Sequence, residues 1–378
     1  MSYREGKGKE LSKSEILENI WSVPSIKLMP GGWLWWFWLF FIHDENTKKT
    51  GRCRQIEILW SIKQDSLISV NGMDISVPRQ IIPKGNKLGL DGAVAAWYYD
   101  GKKVRENFVL EKSMMSLDME KKSITAPGNT PSMLMQKSDE EWLTKIKTDE
   151  VEFELVAKYI DKHPANDPHY DSTKYLAGLL RVDGTRIERF ELEGTEKTAD
   201  GKIKQIKGTA YFQKMYLASP PPQWYWGIYH FSDGSFLTYM QAYVNKNILR
   251  DNAGIKTELV SPANLLTSDI AVYHAPSKRV FKTQKMKIMP KRISENLYSH
   301  SISAQGDGFE IKGVCSAYAH ACWTFVKNIS IFPIKSTFKY NEYPAVFERL
   351  EIQFQDGSEQ IVLENGWGNM ENSWGILL

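Results

Sequence analysis

The side chains most able to do chemistry are concentrated in residues 203–245. This stretch holds IKQIKGTAYFQKMYL, a proline-rich turn, and QWYWGIYHFSDGSFLTYMQAYVN. Successive side chains of a β-strand point to opposite faces. Lys214 is therefore expected to share a face with Phe212 and Tyr216. Further expected shared faces are Tyr211 with Gln213, Trp224 with Trp226 and His230, and Tyr239 with Gln241.

Polar groups among large aromatic rings need partners or a ligand, because an unpaired buried polar group costs about 1–3 kcal/mol. The pattern favours a binding site for an apolar small molecule. The candidate catalytic residues are Lys214, Tyr239, Gln213 and His230. The candidate substrate-binding residues are Trp36, Trp38, Tyr211, Tyr216, Trp224, Trp226 and Gln241. Ordinary strand alternation, with the polar side facing solvent, stays open as the alternative for each.

The run GGWLWWFWLFFI, residues 31–42, contains four tryptophans and no charge. A membrane-spanning helix needs about 20 apolar residues, and this run ends sooner, in HDEN. A short aromatic segment between turn signals predicts a strand buried on both faces. We expect one face to pack against another part of the protein and the other to line a ligand cavity. Peripheral membrane contact stays open, but no transmembrane span is expected.

Composition narrows the class of protein. The net charge is +3 over 378 residues, which is too small to indicate a nucleic-acid partner. The three cysteines show no metal-ligand spacing and no disulfide framework. The N-terminus lacks the apolar core of a signal peptide. These features predict a cytoplasmic protein with no metal site and no cofactor. The polar loop over residues 161–175, which contains metal-capable side chains, is interpreted as a loop.

The elements that must position these residues are mainly strands. Strand-like runs recur along the chain, with Asp-Gly turn signals at 183–184, 233–234 and 356–357. Helices are predicted only at 12–21, with Ser14 as the cap, and at 139–147. The stretch from 110 to 140 has no clear period. The pattern predicts an all-β sandwich or barrel protein with short helices.

GTAYFQKMYL, followed by WYWG, an Asp-Gly turn and LTYMQ, resembles the central block of the lipocalin-like AttH/carotenoid 1,2-hydratase superfamily. Fungal lipocalin-like pericyclases and kievitone-hydratase-type proteins resemble the same group, and WLWWFWLFF resembles its early aromatic strand. The resemblance implies two lipocalin-like (calycin-type) β-barrel modules packed together, with a hydrophobic molecule held between or within them. We place the modules at residues 1–255 and 256–378.

The sequence departs from the family pattern where the chemistry is expected. The family's Asp-His pair aligns with Gln213 and Lys214, its second Trp with Tyr216, and an Asp with Gln241, while Tyr239 is kept. Glutamine cannot protonate an alkene, and lysine, with an ordinary pKa of about 10.4, is a poor acid unless burial lowers that value.

Three functions remain open from the sequence. The first is a cofactor-independent enzyme acting on an isoprenoid- or polyketide-like molecule by hydration, dehydration, cyclisation or isomerisation. There Lys214 and the tyrosines would polarise a carbonyl or orient a polyene. The second is a non-catalytic lipid or terpenoid carrier, and the third is a structural β-protein whose aromatic residues fill its cores.

Overall fold

The computed structural model describes residues 11–24, 28, 31–63, 68–75, 81–160, 163–175, 180–218, 221–244, 264–329, 334–375 and 377. Within these residues the chain is almost entirely antiparallel β-structure, so the all-β prediction is confirmed. No helix of the described part is long and apolar enough to cross a membrane.

The helices are α1 Lys13–Ile20 and α2 Thr47–Thr50, with a 3₁₀ turn at Pro164–Asn166. The strands of the first half of the chain are β1 Trp33–Ile42, β2 Arg54–Lys63, β3 Ile68–Val70, β4 Met73–Asp74, β5 Ile81–Lys84, β6 Lys87–Tyr99, β7 Val104–Asp118, β8 Ser123–Ala126, β9 Ser132–Gln136, β10 Glu141–Lys147, β11 Val151–Lys158 and β12 His169–Tyr175. Those of the second half are β13 Leu180–Thr198, β14 Ile203–Leu217, β15 Gln223–His230, β16 Phe236–Val244, β17 Asn264–His274, β18 Arg279–Thr283, β19 Met286–Arg292, β20 Tyr298–Gln305, β21 Phe309–Ala317, β22 Ala321–Ile329, β23 Ile334–Phe354 and β24 Gln360–Gly375.

The first sheet closes into a barrel of ten antiparallel strands. Its order is β11-β10-β9-β8-β7-β6-β2-β1-β14-β13, and β13 pairs back onto β11. Strands β5 and β12 pair with β6 and β13 outside the ring. Closure leaves no sheet edge within the ring, so its backbone groups are paired on both sides.

The second sheet runs β18-β17-β16-β15-β24-β23-β21-β20-β19. Near the two ends of this order, the Ser268 hydroxyl of β17 donates to the Met286 carbonyl of β19 at 3.0 Å. Strand β22 branches from β23 and carries β3 and β4, which come from the N-terminal half of the chain. We call the two sheets the first and second barrels.

The buried apolar residues form three clusters: one inside each barrel and one between the barrels. Strand β1 contributes to two of them. Leu34, Trp36, Trp38, Phe40 and Ile42 face the first-barrel interior, while Trp33, Trp35, Phe37, Leu39 and Phe41 face the second barrel. The prediction that GGWLWWFWLFFI is a strand buried on both faces is therefore confirmed, and one of these faces packs against the second barrel.

Several local predictions were wrong. Residues 139–147 contain strand β10, because Trp142, Thr144 and Ile146 alternate into the barrel with the period of a strand. The stretch from 110 to 140 forms the rest of β7 together with β8 and β9, and part of the polar 161–175 segment forms β12.

The N-cap of α1 is Ser12 and not Ser14. The Glu15 backbone N–H donates to the Ser12 hydroxyl at 3.3 Å, and the Ser12 N–H donates to the Glu15 carboxylate at 2.7 Å. This capping box requires Glu or Gln three positions after the cap, which Ser12 has in Glu15 and Ser14 lacks.

One predicted turn lies inside a strand. Asp183 and Gly184 are in the middle of β13, where a Cβ at position 184 would come within 2.4 Å of the Met215 sulfur. The glycine thus permits close approach of a neighbouring side chain. The turns at 233–234 and 356–357 do connect consecutive strands, with φ of +93° at Gly234 and +69° at Gly357.

The chain leaves the first barrel at Leu217 and enters the second at Gln223. The predicted module boundary at 255/256 lies outside the described residues.

Candidate functional site

Four of the predicted site residues line the first-barrel interior: Trp36, Trp38, Tyr216 and Lys214. Lys214 pairs with Trp36 across the β1–β14 ladder, so it points inward as its predicted face requires. Its ammonium donates to the backbone carbonyls of Asn19 at 2.5 Å and Ser22 at 2.7 Å, at the C-terminal end of α1. Burial lowers the pKa of Lys214 to about 7. These contacts, the ones described for Lys214, hold α1 against strand β14. The carbonyls at the C-terminal end of a helix carry partial negative charge and attract a cation.

Five further predicted residues lie between the barrels: Tyr211, Gln213, Trp224, Trp226 and His230. His230 is completely buried there. One ring nitrogen bonds the Thr209 hydroxyl and the other the Glu188 carbonyl, both at 2.8 Å. Burial, reinforced by the charge of Arg189, lowers the pKa of His230 well below its ordinary value. A neutral ring with both nitrogens engaged is a poor general acid.

Tyr239 and Gln241 lie inside the second barrel. The Tyr239 hydroxyl is 3.0 Å from Nδ1 of His300 and 3.7 Å from the Cys315 sulfur. Burial lowers the pKa of His300 to about 3 and raises that of the Cys315 thiol to about 11. Both shifts oppose the formation of a thiolate–imidazolium pair, so this cluster lacks an activated nucleophile.

The predicted residues are thus divided among three places, and Lys214 and Tyr239 lie in the interiors of different barrels. In the first barrel, aromatic rings pack on one another where a cavity was expected. The centroid of Trp38 is 5.0 Å from that of Phe212 and 5.1 Å from that of Phe190. Two hollows that the structure does contain, of about 580 and 330 Å³, are lined by other residues, such as Phe231 and Tyr98.

A group that the sequence analysis missed lies at the centre of the inter-barrel cluster: Glu57, Glu342 and Glu371. Glu57 comes from β2 of the first barrel, and Glu342 and Glu371 are cross-strand neighbours on β23 and β24 of the second. Their exposed fractions are 0%, 1% and 3%. We call these three residues the carboxyl layer.

Aromatic donors hold the outer members of the carboxyl layer. The Trp97 indole N–H donates to Glu57 at 2.5 Å. Glu371 accepts from the Trp224 indole at 2.5 Å and from the Tyr340 hydroxyl at 2.9 Å. The side-chain amide of Asn369 donates to Oε2 of Glu342.

The central carboxyl, Glu342, lies close enough to interact with both Glu57 and Glu371. Oε1 of Glu57 and Oε1 of Glu342 receive no N–H or O–H donor from the other described side chains. Two carboxyls can bond to each other only through a carboxylic proton. Proximity of these carboxyls therefore favours the protonated form of at least one of them.

The pKa values of all three carboxyls are raised. Burial, followed by repulsion from neighbouring carboxyls, raises the pKa of Glu57 and Glu342 well above their ordinary value. Burial also raises the pKa of Glu371 to about 7, although the bonds from Trp224 and Tyr340 favour its ionised form. Like charges within a few ångströms in a dry environment cannot all ionise. The three carboxyls therefore favour the neutral, protonated form more than an exposed glutamate does.

The surroundings of the carboxyl layer are apolar and aromatic. Trp226 is the cross-strand neighbour of Glu371. The ring centroid of Trp226 is 5.3 Å from that of Tyr211 and 6.5 Å from that of Phe37. Of the three aromatic donors, Trp97 and Tyr340 are buried and Trp224 is half-buried. Trp224 therefore links Glu371 to the solvent side of the interface.

The signal that could have revealed this layer is a lone acid in an otherwise apolar or aromatic strand. Glu57 stands in QIEILW, Glu342 in YNEYPAV and Glu371 in NMENSW. Charges seldom sit in such runs without a partner.

The polar segment from His163 to Asp171 makes structural contacts. The His163 ring stacks on Tyr273 with centroids 4.6 Å apart, and Asp167 accepts from the Tyr159 hydroxyl at 2.7 Å. No group of three or more histidine, cysteine, aspartate or glutamate side chains among the described residues is arranged to hold a metal ion.

Comparison with known structures identifies the fold. A proposed AttH protein of Nitrosomonas europaea superposes with a TM-score of 0.55 at 12% identity, covering 98% of each chain. The chain has the lipocalin-like fold of this protein. A second match is kievitone hydratase from Nectria haematococca, with a TM-score of 0.43 and 11% identity over 93% of each chain. No protein-family model matches the sequence, and no curated protein matches it significantly. The lipocalin-like fold inferred from the sequence is thus confirmed at the level of structure.

Proposed function

We propose that the protein is a cofactor-independent enzyme of the hydratase type, acting on a hydrophobic isoprenoid- or polyketide-like molecule between the barrels. The observation that carries this proposal is the carboxyl layer, three buried acids inside an aromatic interface whose pKa values are raised, to about 7 for Glu371. A carboxylic acid whose pKa lies near the working pH is an effective proton donor in catalysis.

In the proposed reaction, Glu371 gives its proton to one carbon of a double bond. The π bond breaks, a C–H bond forms, and the other carbon becomes a cation that faces aromatic rings such as Trp226. Aromatic faces attract cations within about 6 Å. Water then forms the C–O bond, and its surplus proton returns to the ionised carboxylate, so the net change is the addition of one water molecule.

The same cation explains the alternative outcomes predicted from the sequence. Reversal of the steps removes water, loss of a neighbouring C–H proton moves the double bond, and attack by an internal double bond closes a ring. All of these reactions need the proton donor and none needs a redox group. Substrate would reach Glu371 by displacing the half-buried side chain of Trp224.

The test is turnover of a panel of acyclic isoprenoids and polyketide-like polyenes in deuterated water, analysed by mass spectrometry. We expect products that gain or lose one water, or isomers that carry deuterium at carbon. Glu371→Gln should lower the rate by about 10²–10⁴-fold while substrate binding persists, the usual range for a general acid.

Glu196→Gln is the matched control. Its carboxylate is also largely buried, at 12% exposure, but it pairs with Arg54 at 2.6 Å and lies outside the carboxyl layer. Equal activity of wild type and Glu371→Gln would refute the assigned acid. Ligand recovered unchanged under all conditions would favour the carrier function. The cytoplasmic location inferred from the cysteines stays a prediction.

A further inference from the structure

The interface between the barrels contains buried oxygen atoms that no N–H or O–H group reaches. Besides Oε1 of Glu57 and of Glu342, the side-chain oxygens of Gln55 and Asn369 receive no donor from the described residues. All four side chains are 0–1% exposed. An unpaired buried polar atom costs about 1–3 kcal/mol. Acceptors without donors, gathered in one interface, therefore indicate a place built for a molecule that donates hydrogen bonds.

These four side chains are joined by a continuous set of contacts. Gln55 and Glu57 are two positions apart on β2, so they share a face of that strand. The Gln55 amide nitrogen donates to the Gly368 carbonyl at 2.9 Å, directly before Asn369 in the chain. The Asn369 amide nitrogen donates to Glu342, which in turn interacts with Glu57. We call Gln55, Glu57, Glu342 and Asn369 the acceptor group.

Water is the molecule that fits the acceptor group best. It is neutral, so it adds no charge beside acids whose ionisation burial already opposes. It supplies two O–H donors, and a buried water is held by two to four polar partners. A metal ion fits less well, because no set of three or more acidic, histidine or cysteine side chains in the described ranges is arranged to bind one.

The acceptor group also dictates how such a water is oriented. A water that donates both of its O–H groups to the acceptors turns its lone pairs away from them. Those lone pairs are the part of the molecule that attacks a carbon cation. Glu342 is the cross-strand neighbour of Glu371, the proposed proton donor. The water and the acid are therefore held on adjoining side chains of one interface.

We propose that the acceptor group binds the water molecule that adds to the substrate, and that Asn369 positions this water through Glu342. The inference rests on the proposed function for its chemistry. After Glu371 has protonated one carbon of the double bond, the bound water forms the C–O bond to the other. The surplus proton of the water passes to Glu342, which gives its own proton to the ionised Glu371. Both carboxyls return to their starting states, and the substrate has gained one water.

A bound water in this position selects among the fates of the cation, since hydration competes with loss of a proton and with ring closure. Asn369→Leu keeps the size of the side chain and removes the amide. We expect the ratio of hydrated to isomerised or cyclised product to fall by about tenfold or more, because the water loses its fixed position. Deuterium from the solvent should still enter the products at carbon, because Glu371 is unchanged.

Asn341→Leu is the matched control. Asn341 is also a buried amide, at 5% exposure, and it precedes Glu342 on β23. Its nitrogen donates to the Asn372 carbonyl at 2.8 Å, and its oxygen is 2.9 Å from Nε2 of His320. It lies outside the acceptor group, so its variant should keep the wild-type product ratio. The same ratio in Asn369→Leu as in Asn341→Leu would overturn the proposal.

A measurement without substrate tests the water site itself. Relaxation dispersion of ¹⁷O in labelled water counts the water molecules that the full-length protein holds for longer than its tumbling time. The count should fall by one in Asn369→Leu and in the milder variant Glu57→Gln, which puts an N–H donor in place of an acceptor. It should not change in Asn341→Leu or Glu196→Gln.

The two measurements separate this inference from the proposed function. Equal water counts in the wild type and in both acceptor-group variants would show that the group binds no water, whatever the wild type turns over. If the wild type turns over none of the substrate panel, the proposed function fails, and the catalytic role of the water fails with it. A fall in the water count would then establish a structural water only.

Discussion

Lys214 and the carboxyl layer are both buried sets of ionisable groups, but they differ in how their charge is matched. Lys214 is one amine whose donors meet carbonyl oxygens at a helix end. The carboxyl layer brings three acids together, with hydrogen-bond donors but no cation among their described partners. The first arrangement fastens one element to another. The second forces acids to retain protons, and acids that retain protons can do chemistry.

The difference also predicts opposite responses to pH. The layer's carboxyl pKa values are raised on folding, so the folded protein holds protons there that the unfolded chain has lost. The pKa of Lys214 is lowered, so the unfolded chain holds a proton there that the folded protein has lost. The layer's contribution to stability declines as pH rises toward 7, and that of Lys214 increases as pH rises above 7.

The largest expected effect belongs to Glu371→Gln. The stability that Glu371 contributes is fully present below about pH 4.3 and is lost as pH rises to about 7, at about 1.4 kcal/mol per pH unit. Relative to wild type, the variant should therefore gain about 3 to 4 kcal/mol in free energy of unfolding across that window. Urea unfolding at a series of pH values measures it, with Glu196→Gln as control. If the difference in free energy of unfolding between variant and wild type does not change with pH, then Glu371 ionises with its ordinary pKa.

Lys214→Met should give a difference of opposite sign. Between pH 7 and pH 9 the wild type should gain about 3 kcal/mol relative to the variant, because the folded amine has largely lost its proton while the unfolded one still holds it. The same unfolding series measures this change. Lys63→Met is the control, because Lys63 is as buried as Lys214 (5% against 6%) but contacts Trp33 on the inter-barrel side of the barrel wall. If the free energies of unfolding of the two lysine variants change in the same way with pH, then the pKa of Lys214 is not specifically lowered by its surroundings.

Tyr340→Phe tests whether the hydrogen bond from Tyr340 stabilises the ionised form of Glu371. The variant removes the hydroxyl that donates to the Glu371 carboxylate at 2.9 Å, so the pKa of Glu371 should rise by about one further unit. The infrared carbonyl band of the protonated acid, followed against pH, reports this shift. Tyr99→Phe, whose hydroxyl bonds a loop carbonyl, should leave the band unchanged. An unaltered midpoint in Tyr340→Phe would mean that the hydroxyl does not stabilise the ionised form.

The smallest effect concerns the helix that Lys214 fastens. Ser12→Ala should destabilise α1 by about 1 kcal/mol through loss of the capping box. Ser14→Ala should have little effect, although Ser14 is the cap that the sequence pattern predicts. Amide hydrogen exchange within α1 measures both. Equal acceleration in the two variants would contradict the assigned cap.

Most strands could be predicted from the sequence, because side-chain alternation and turn residues are properties of short stretches of the chain. The faces of β1, and the shared faces around Lys214 and Tyr239, were predicted correctly for that reason. Strand β10 was missed because its short polar-and-apolar mixture fits either period. The distribution of the predicted site residues over three separate places could not be predicted from the sequence. Alternation shows which side chains share a face of a strand, but not which barrel or interface that face lines.

By itself, the sequence determined that the chain is all-β, that β1 is buried on both faces, and that polar groups are set among aromatic rings. These follow from residue type and spacing along single strands. Only the tertiary structure decided which groups meet. Glu57 is 285 positions before Glu342 and 314 before Glu371 in the numbering of the chain. The packing of two barrels brings these three carboxyls together, and their raised pKa values depend on that burial and proximity.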